Sequence, residues 1–366
     1  MARARREGLR EHRQHPLLRH HRRRGARSGP RHPGDDRRAP RSRHHLWPRS
    51  GVHALRSQLR LVRNLLKNPF LAGKSRPLVV GHRGVPLLHQ ENTLAGFRRA
   101  IALGVPAVEL DVRLTADGVP VLFHDALVDR LTGAAGAVAE MTWDQLSRLR
   151  IRREVPMGYE ANGSPVVIRY AREEPIARLD EVLAELAGKV AINVELKIAL
   201  PQWWSAHVGE RTARALAAAG VDGSVIVSSF DPRRLLAARK AHPTLLVSFC
   251  FDDSTLDFTR PLLHRFTRAH TPQRLLEHIL GANYVGKLFG MRAVGADHTL
   301  IGPATVDSLH RRGVAIGTHT LFPIGSTTGK SLSPRASTKE EVDRLLQLGV
   351  DWIESDDPER LMALVP

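Results

Sequence analysis

The stretch that decides how this chain folds is residues 81–125, GHRGVPLLHQENTLAGFRRAIALGVPAVELDVRLTADGVPVLFHD. Three short apolar runs lead into it or lie within it. His82 follows the first run, Glu109 and Asp111 interrupt the second, and His124 follows the third. Residues two apart on a strand point to the same side, so the two carboxylates share one face. A buried strand carries such a pair only where a cation or hydrogen bonds compensate it, which predicts a metal site.

A fourth apolar run, 191–197 (AINVELK), carries Glu195 and Lys197 on one face. With Glu109 and Asp111 it supplies three carboxylates, a ligand set that suits a hard divalent cation such as Mg²⁺ or Ca²⁺. The sequence contains neither a cysteine cluster nor an HExxH helix, so a zinc site of the usual ligand type is disfavoured.

Basic and titratable residues accompany the predicted metal site. Histidine titrates near neutral pH, so His82 and His124 are candidates for general acid and base. Arg83 and Lys197 are candidates for binding an anion. Together these groups predict phosphodiester cleavage, in which cations stabilise charge on the phosphoryl oxygens and the histidines move protons.

Five short motifs resemble those of the glycerophosphodiester phosphodiesterases, in the order and approximate spacing of that family. They are His82-Arg83-Gly84, Glu91-Asn92-Thr93, Glu109-Leu110-Asp111, His124-Asp125 and Glu195-Leu196-Lys197. Weaker similarity continues through 225–232 to 349–361, so the resemblance covers about residues 77–361. Any one of these motifs is weak evidence, whereas five in order are strong.

The resemblance implies a role for eight residues. His82 and His124 would be the acid and base, Glu109, Asp111 and Glu195 the metal ligands, and Arg83 and Lys197 the phosphate ligands, with Glu91 near the site. It also implies the products, glycerol 3-phosphate and an alcohol. Two routes stay open: a substrate hydroxyl attacks phosphorus and water opens the cyclic phosphate, or water attacks directly.

One segment departs from the family pattern. Members commonly carry an aromatic-led W-T-x-N segment on a late strand, whereas here residues 314–322 place Gly317 at the tryptophan position and Thr320 at the asparagine position. Glycine supplies no aromatic wall, so an altered pocket for the substrate's head group is expected. No motif supports His319, which is predicted to be structural, and Asp356 is predicted to lie in a turn before a proline.

Strand-like and helix-like stretches alternate from residue 77 onward, and the polar motifs stand at strand ends. This order predicts an α/β fold, a (β/α)8 TIM barrel with its site at the carboxyl ends of the strands. Nine candidate strands are one too many, and the Asp117-Gly118 hairpin indicates that one is accessory. The late strand before residue 303 is placed at 296–301. Two longer segments, 151–178 and 252–295, are predicted to be insertions near the barrel mouth.

Composition bounds the remaining possibilities. The single cysteine, Cys250, excludes an internal disulfide framework and fits a reducing cytoplasm. No apolar run approaches the roughly 18–20 residues of a membrane-spanning helix, and no secretory signal pattern precedes the barrel. The sequence therefore predicts a cytoplasmic protein and leaves its oligomeric state open.

The net charge of +18 is concentrated in residues 1–50, which contain 16 arginines, no lysine and four acidic residues. The segment lacks a sustained apolar period, so a disordered arm is predicted. It is interpreted as a dispensable tail, and its bias also fits translation from a start codon placed too far upstream. A polyanion-binding arm is the alternative, and nucleic acid is not a favoured partner.

Residues 51–76 are predicted to form a basic amphipathic helix and a linker before the catalytic domain, 77–366. Within 55–71, four apolar residues share one face: Leu55, Leu59, Val62 and Leu66. Packing on the chain's own domain is the favoured interpretation, and peripheral contact with an anionic membrane is the alternative.

The sequence thus predicts a metal-dependent hydrolase of glycerophosphodiesters, with the head group and the choice between Mg²⁺ and Ca²⁺ left open. A lysophospholipase D-type enzyme, which would use the same centre on lysolipids, is the nearer alternative. A non-catalytic protein that binds polyanions through its arm is the remoter one.

Overall fold

A computed structural model describes residues 67–71, 75–160, 162–197, 205–252, 273–325 and 338–366. The chain divides into two units, Met1–Arg49 and Ser50–Pro366, and every described residue belongs to the second. The predicted arm, and the predicted helix as far as residue 66, lie outside the described residues.

Eight parallel strands close into a barrel, because β1 pairs both with the second strand of the barrel and with the last. In chain order they are β1 (Leu78–Gly81), β2 (Ala107–Leu114), β8 (Ala191–Leu196), β9 (Val225–Ser229), β10 (Leu246–Phe251), β11 (Ala293–Asp297), β12 (Ala315–Leu321) and β13 (Trp352–Ser355). The accessory strands are β3 (Pro120–Leu122), β4 (Arg150–Ile151), β5 (Glu154–Tyr159), β6 (Pro165–Arg169) and β7 (Glu174–Pro175).

Helices follow or connect these strands. They are α1 (Leu94–Ala102), α2 (Asp129–Thr132), α3 (Trp143–Ser147), α4 (Leu179–Leu186), α5 (His207–Ala219), α6 (Pro232–Ala241), α7 (Gln273–Ala282), α8 (Tyr284–Phe289), α9 (Pro303–His310), α10 (Lys339–Leu348) and α11 (Pro358–Leu364). Short 3₁₀ turns occur at Val138–Glu140, Asp222–Ser224 and His298–Leu300. No helix among these residues is long and apolar enough to cross a membrane.

Strand alternation sorts the side chains of β2 between the core and the barrel interior. Val108, Leu110 and Val112 belong to the main apolar cluster, which the surrounding helices cover. The residues between them, Glu109 and Asp111, are also buried, on the other face of the strand. One face of β2 therefore packs in the core, and the other presents two buried carboxylates to the barrel interior.

The amino-terminal end of the barrel is filled by a separate apolar cluster. Its members are Phe70, Leu71, Val80, Ala107, Ala191, Ile226, Leu246, Ala293, Ala315 and Trp352. The Phe70 ring meets the Trp352 ring edge to face, with centroids 5.8 Å apart, and Asn68 Nδ2 donates a hydrogen bond to the carbonyl of Val225 at 2.8 Å. Residues 67–71 therefore close this end of the barrel.

The predicted accessory strand is confirmed as β3, which runs antiparallel to β2. The prediction of a strand at 296–301 is wrong, because β11 begins three residues earlier and ends four residues earlier, at Asp297. The Asp297 carboxylate accepts a hydrogen bond from the N–H of Thr299 at 2.8 Å, and the chain turns there into a 3₁₀ helix. Within the segment 151–178, β5 pairs antiparallel with β6, and β7 pairs antiparallel with β4.

Helix α7 lies within the segment 252–295, where no helix was predicted. Its Leu276 and Leu280, one turn apart, are buried in the main core, so α7 is part of the helical layer around the barrel.

Candidate active site

The site begins at the carboxyl end of β1, where the chain turns sharply. A Cβ on Gly81 would lie 2.3 Å from the carbonyl oxygen of Gly84, so only glycine fits there. Arg83 adopts a left-handed φ of 53°, and its backbone N–H donates to Glu109 Oε2 at 2.9 Å. The turn thereby connects the first strand to the carboxylates of the second.

His82 is oriented by Asp356, which follows the last strand of the barrel. His82 Nδ1 lies 2.6 Å from Asp356 Oδ1, and Asp356 Oδ2 accepts a hydrogen bond from the N–H of Ile324 at 2.9 Å. The other ring nitrogen, Nε2, lies 3.9 Å from Glu109 Oε2. The prediction that Asp356 lies in a turn therefore missed its contact with His82. The Asp356 carboxylate holds the imidazole so that Nε2 faces the carboxylate cluster.

His124 has a carboxylate partner of its own. Its Nδ1 lies 2.7 Å from Asp125 Oδ1, and Arg130 binds the second oxygen of Asp125. Burial and the positive charges of Arg83 and Lys197 lower the pKa of His124 below its usual value. The imidazole is therefore neutral near pH 7 and able to accept a proton.

A buried carboxylate holds the arginines around His124. Glu91, 1 % exposed, accepts two hydrogen bonds from Arg130, at 2.7 and 3.0 Å, and one from Arg83 at 3.1 Å. Burial opposes ionisation of Glu91, but the two arginines outweigh it and its pKa is lowered. Glu91 lies near the site, as the resemblance implied, and its contacts are those of a residue that positions guanidinium groups.

Three carboxylates lie together at the centre: Glu109, Asp111 and Glu195 each offer an oxygen within 4.8 Å of the others. Asn92 donates to Asp111 Oδ2 at 2.8 Å and accepts from the Asp111 N–H at 3.0 Å, which locks that side chain. Lys197 Nζ lies 2.9 Å from Asp111 Oδ1 and 2.7 Å from Glu195 Oε1.

The charges of this cluster are unequal. Burial and the neighbouring Asp111 raise the pKa of Glu109 well above its usual range. Burial acts in the same direction on Asp111, but Lys197 and Arg83 outweigh it and lower the pKa of that carboxyl. Glu109 Oε1 is buried without a hydrogen-bond partner among the described residues. An orphaned carboxylate oxygen beside two further carboxylates fits a hard divalent cation.

The structure places all eight predicted residues at the carboxyl ends of β1, β2, β3 and β8 or in the loops that follow these strands. Sequence reasoning missed Arg130 and the orienting role of Asp356. It also took His319 as structural, whereas this side chain lines the cavity beside the carboxylates. The signal for Asp356 was available, since a carboxylate directly after the last barrel strand reaches the same mouth as His82.

The aromatic ring missing at Gly317 is supplied from the neighbouring strand. Gly317 pairs in register with Trp352, and a Cβ on Gly317 would lie 1.8 Å from Cε2 of that ring. Trp352, 2 % exposed, therefore occupies the space above the glycine and lines the cavity.

Two cavities meet at this site. One, of about 290 Å³, is polar and extends into the barrel, and the other, of about 540 Å³, runs outward between apolar walls. Both are lined by His82, Arg83, His124 and Thr320. A phosphodiester at these shared residues can therefore place one substituent in each cavity.

Comparison with known proteins agrees with this geometry. The sequence profile of the glycerophosphoryl diester phosphodiesterase family matches residues 82–360. The chain is 28% identical over 291 residues to a glycerophosphodiester phosphodiesterase of Caldanaerobacter subterraneus subsp. tengcongensis, which covers 79% of this chain and 98% of the relative. It is 39% identical over 92 residues to human glycerophosphodiester phosphodiesterase 1, covering 24% of this chain and 28% of that protein.

Solved structures share the barrel. A putative glycerophosphoryl diester phosphodiesterase from Silicibacter pomeroyi matches with a TM-score of 0.59 at 22% identity, over 82% of this chain and 96% of that one. A phosphodiesterase from Oleispira antarctica, solved with the product sn-glycerol-3-phosphate, matches with a TM-score of 0.55 at 18% identity, over 79% and 96%. The predicted fold and the resemblance to this family are thereby confirmed: the chain belongs to the glycerophosphoryl diester phosphodiesterase family.

Proposed function

We propose that this chain hydrolyses glycerophosphodiesters to sn-glycerol 3-phosphate and an alcohol, with Mg²⁺ or Ca²⁺ held by Glu109, Asp111 and Glu195. The observation that carries the proposal is the pair of imidazoles, His82 and His124, each fixed at Nδ1 by a carboxylate and both lining the cavity that Glu195 also lines. The product bound to the Oleispira antarctica protein is consistent with this substrate class.

The acidic cluster sets the place of the phosphate. A divalent cation bound there would stabilise negative charge on the phosphoryl oxygens. Arg83 and Lys197 stand beside the same carboxylates and offer N–H donors to those oxygens. Because both side chains are held by Asp111, they are already positioned when the substrate arrives.

The two histidines divide the proton transfers. His124, with its lowered pKa, is the base that takes the proton from the attacking oxygen, whether that oxygen belongs to a substrate hydroxyl or to water. His82 gives a proton from Nε2 to the leaving alcohol oxygen, while Asp356 holds Nδ1. If the attacking oxygen is a substrate hydroxyl, water opens the resulting cyclic phosphate in a second step, in which the two histidines exchange roles.

The test is release of sn-glycerol 3-phosphate from glycerophosphocholine by the full chain, with Mg²⁺, with Ca²⁺ and with EDTA. We expect release that depends on the cation. The matched control for variants of His82 and His124 is His242→Ala, since His242 also pairs with a carboxylate, Asp222, at 2.8 Å, but lies at the C-terminal end of α6. A folded protein that binds the cation and releases no product from any glycerophosphodiester contradicts the proposal.

A lysophospholipase D-type reaction is the second candidate, and the apolar cavity favours it. Its walls include Pro86, Pro156, Met157, Tyr159 and Ile324, and it opens directly beside His82. An acyl chain fits such a wall, whereas deacylated substrates leave it empty. Choline release from lysophosphatidylcholine and from glycerophosphocholine compares the two substrates with one readout, and a clear preference for the lysolipid selects this alternative.

Cytoplasmic localisation and the dispensability of residues 1–50 stay predictions. Contact of residues 55–71 with an anionic membrane stays the alternative to packing on the chain's own domain. The non-catalytic alternative requires that no metal-dependent turnover occur, so the same assay decides it.

A further inference from the structure

A third cavity, of about 340 Å³, lies between the β2–β3 hairpin and the start of α5. Among the described residues that line it, only Lys197 is shared with the two cavities of the active site. Neither imidazole of the active site lines it, nor does any of the three clustered carboxylates. A ligand bound here would therefore be separate from the phosphodiester substrate.

The third cavity carries an excess of positive charge. Asp117 is the one carboxylate among its described lining residues, and it already accepts hydrogen bonds from the Thr115 hydroxyl at 2.5 Å and from the Trp143 N–H at 3.0 Å. Four lining side chains are cationic and a fifth can become so: Arg113, Lys197, Arg211, Arg234 and His207. A concave surface with this balance of charge attracts anions.

The two most deeply placed arginines of this cavity hold their charges at a cost. Burial, to which the charge of Arg234 adds, lowers the pKa of Arg113, although three nearby carboxylates act in the opposite direction. Arg234 is itself 1 % exposed, and burial lowers its pKa as well. An anion in the cavity would stabilise both guanidinium charges.

The first turn of α5 also favours an anion. The helix begins at His207, and its N-cap residue, Ala206, makes no side-chain hydrogen bond to the first turn. The His207 N–H is directed to Ser205 Oγ at 3.4 Å, and His207 and Val208 both line the cavity. The amino-terminal end of a 13-residue helix is positive and its backbone N–H groups bind phosphate and similar anions.

Arg211, one turn further along α5, also lines the cavity. Its guanidinium lies over the hairpin, since a Cβ on Gly118 would be 3.8 Å from Arg211 Nη2. Within the described part of the chain, this side chain has neither a hydrogen bond nor an ion pair. Arg214 of the same helix instead pairs with Glu210 at 2.6 Å and points elsewhere, outside the lining of the cavity. Arg211 therefore has donors to offer a ligand.

We propose that the third cavity binds a phosphate group through Arg113, Arg211 and the first turn of α5, and that this binding slows the enzyme. Arg113 joins the cavity to the active site, because its Nε and Nη2 both donate to the carbonyl oxygen of His124, at 3.0 and 2.6 Å. An anionic oxygen is a stronger acceptor than a carbonyl, so bound phosphate draws this guanidinium away from His124. Arg113 is thus a positioning residue, and its effect on turnover rests on the proposed function.

The binding experiment titrates the metal-free full chain with inorganic phosphate by calorimetry at constant ionic strength. Without a cation, the three carboxylates of the active site disfavour phosphate there, so the heat reports the third cavity. We expect Arg211→Ala to weaken binding at least about fivefold, the worth of one charge-assisted hydrogen bond at an exposed residue. Arg214→Ala is the matched control and should bind as the wild type does.

A parallel titration with sn-glycerol 3-phosphate identifies the source of the phosphate group. If inorganic phosphate binds more tightly, the natural ligand is the free ion. If sn-glycerol 3-phosphate binds more tightly, the ligand is a phosphate monoester. Either result supports the site, provided that Arg211→Ala weakens the binding and Arg214→Ala does not.

The kinetic experiment measures kcat for glycerophosphocholine with Mg²⁺, in the presence and absence of inorganic phosphate. Phosphate that only competes at the active site raises the apparent KM and leaves kcat unchanged, since saturating substrate displaces it. We expect phosphate to lower the kcat of the wild type and of Arg214→Ala at least about threefold, because small displacements of a catalytic group slow a reaction. In Arg211→Ala and Arg113→Lys, kcat should no longer respond to phosphate.

The site is overturned if the metal-free wild type binds neither ligand, or if Arg211→Ala and Arg214→Ala bind phosphate equally well. The link to His124 is overturned if phosphate binds and the kcat of the wild type does not change. Because the binding experiment needs no turnover, its failure is distinct from failure of the proposed function. In that second case the folded wild type does not hydrolyse glycerophosphocholine at all, and the link to His124 falls with it.

Discussion

His82 Nδ1 lies 2.6 Å from Asp356 Oδ1, although 274 residues separate the two in the sequence. The contact joins the first and last strands of the barrel, which are hydrogen-bonded neighbours. His124 has the same kind of partner in the residue next to it, Asp125. The His82 imidazole is thus oriented by a residue from the other end of the barrel sequence, and the His124 imidazole by its neighbour in the chain.

Replacing Asp356 tests whether this contact positions His82. We expect Asp356→Asn to lower kcat by about 10- to 100-fold and to leave KM within a few-fold, since the phosphate ligands are untouched. Asp356→Glu should recover part of the loss. Asp222→Asn, which changes the partner of His242, is the control. Equal changes in kcat and KM, or a loss of folding in both Asp356 variants, would point to a structural role.

Removing either imidazole should abolish efficient proton transfer. We expect His82→Ala and His124→Ala each to reduce turnover of glycerophosphocholine by about two orders of magnitude or more, the usual effect of losing a general acid or base. Calorimetry with Mg²⁺ should give nearly unchanged cation affinity, because neither histidine is a proposed ligand. Near-normal activity in a folded variant would remove that histidine from the mechanism.

The pH dependence follows from the lowered pKa of His124. A base works only when deprotonated, so activity should fall as the pH drops through the pKa of this group. Because that pKa is lowered, we expect the acid limb of kcat/KM below about pH 6.5, the ordinary histidine value. A limb above that value would show that His124 is not the base.

Glu109 should destabilise the protein when no cation is bound. Its pKa is raised, so the stability linked to its protonated form is present at low pH and is lost as the pH rises through that pKa. Glutamine imitates the protonated form. We expect Glu109→Gln to raise Tm by about 2–5 °C at pH 7.5 in EDTA, from roughly 1–2 kcal/mol of relieved desolvation.

The effect of added cation on Tm should differ between the wild type and Glu109→Gln. Added Mg²⁺ should raise the Tm of the wild type and leave Glu109→Gln almost unchanged. Glu359→Gln, an exposed substitution in α11, is the control. A variant that is less stable than the wild type in EDTA would contradict this account.

The site has a glycine, Gly317, on β12 and an aromatic ring, Trp352, on the neighbouring strand β13. Substitutions at the two positions test whether the ring needs the glycine. Gly317→Ala should be strongly destabilising, because its Cβ would lie 1.8 Å from the Trp352 ring, whereas Gly223→Ala, which has no atom within 4 Å, should be neutral. The double variant Gly317→Trp with Trp352→Gly should regain solubility that Gly317→Trp alone loses. If the double variant is no more soluble than Gly317→Trp alone, then Trp352 contributes more to the fold than filling the space beside residue 317.

Much of the barrel could be predicted from the sequence, because each strand is marked by the apolar and polar residues within it. The run around Glu109 and Asp111 showed both the strand, observed as β2, and the face that carries the two carboxylates. β11 was misplaced because a capping aspartate ends it, and the apolar residues that follow belong to a 3₁₀ turn.

The parts of the site that escaped prediction are those made by closure of the barrel. Asp356 reads as a turn residue until β13 is placed beside β1, and Trp352 reads as an ordinary core residue until it is paired with Gly317. Arg130 lies in no motif, and its role appears only through its contacts with Glu91 and Asp125. Contacts between residues that are far apart in the sequence leave no periodic pattern or fixed spacing from which they could be predicted.

The contact between Phe70 and Trp352 places the practical boundary of the catalytic unit ahead of its first strand. A fragment that starts at Pro77 keeps every candidate catalytic side chain and all eight barrel strands, yet it removes the ring that backs the tryptophan. Any shortened form of this enzyme, whether for crystallisation or for biosensor use, therefore has to begin before Asn68. Otherwise the tryptophan that lines the cavity of the site loses the aromatic ring packed against it.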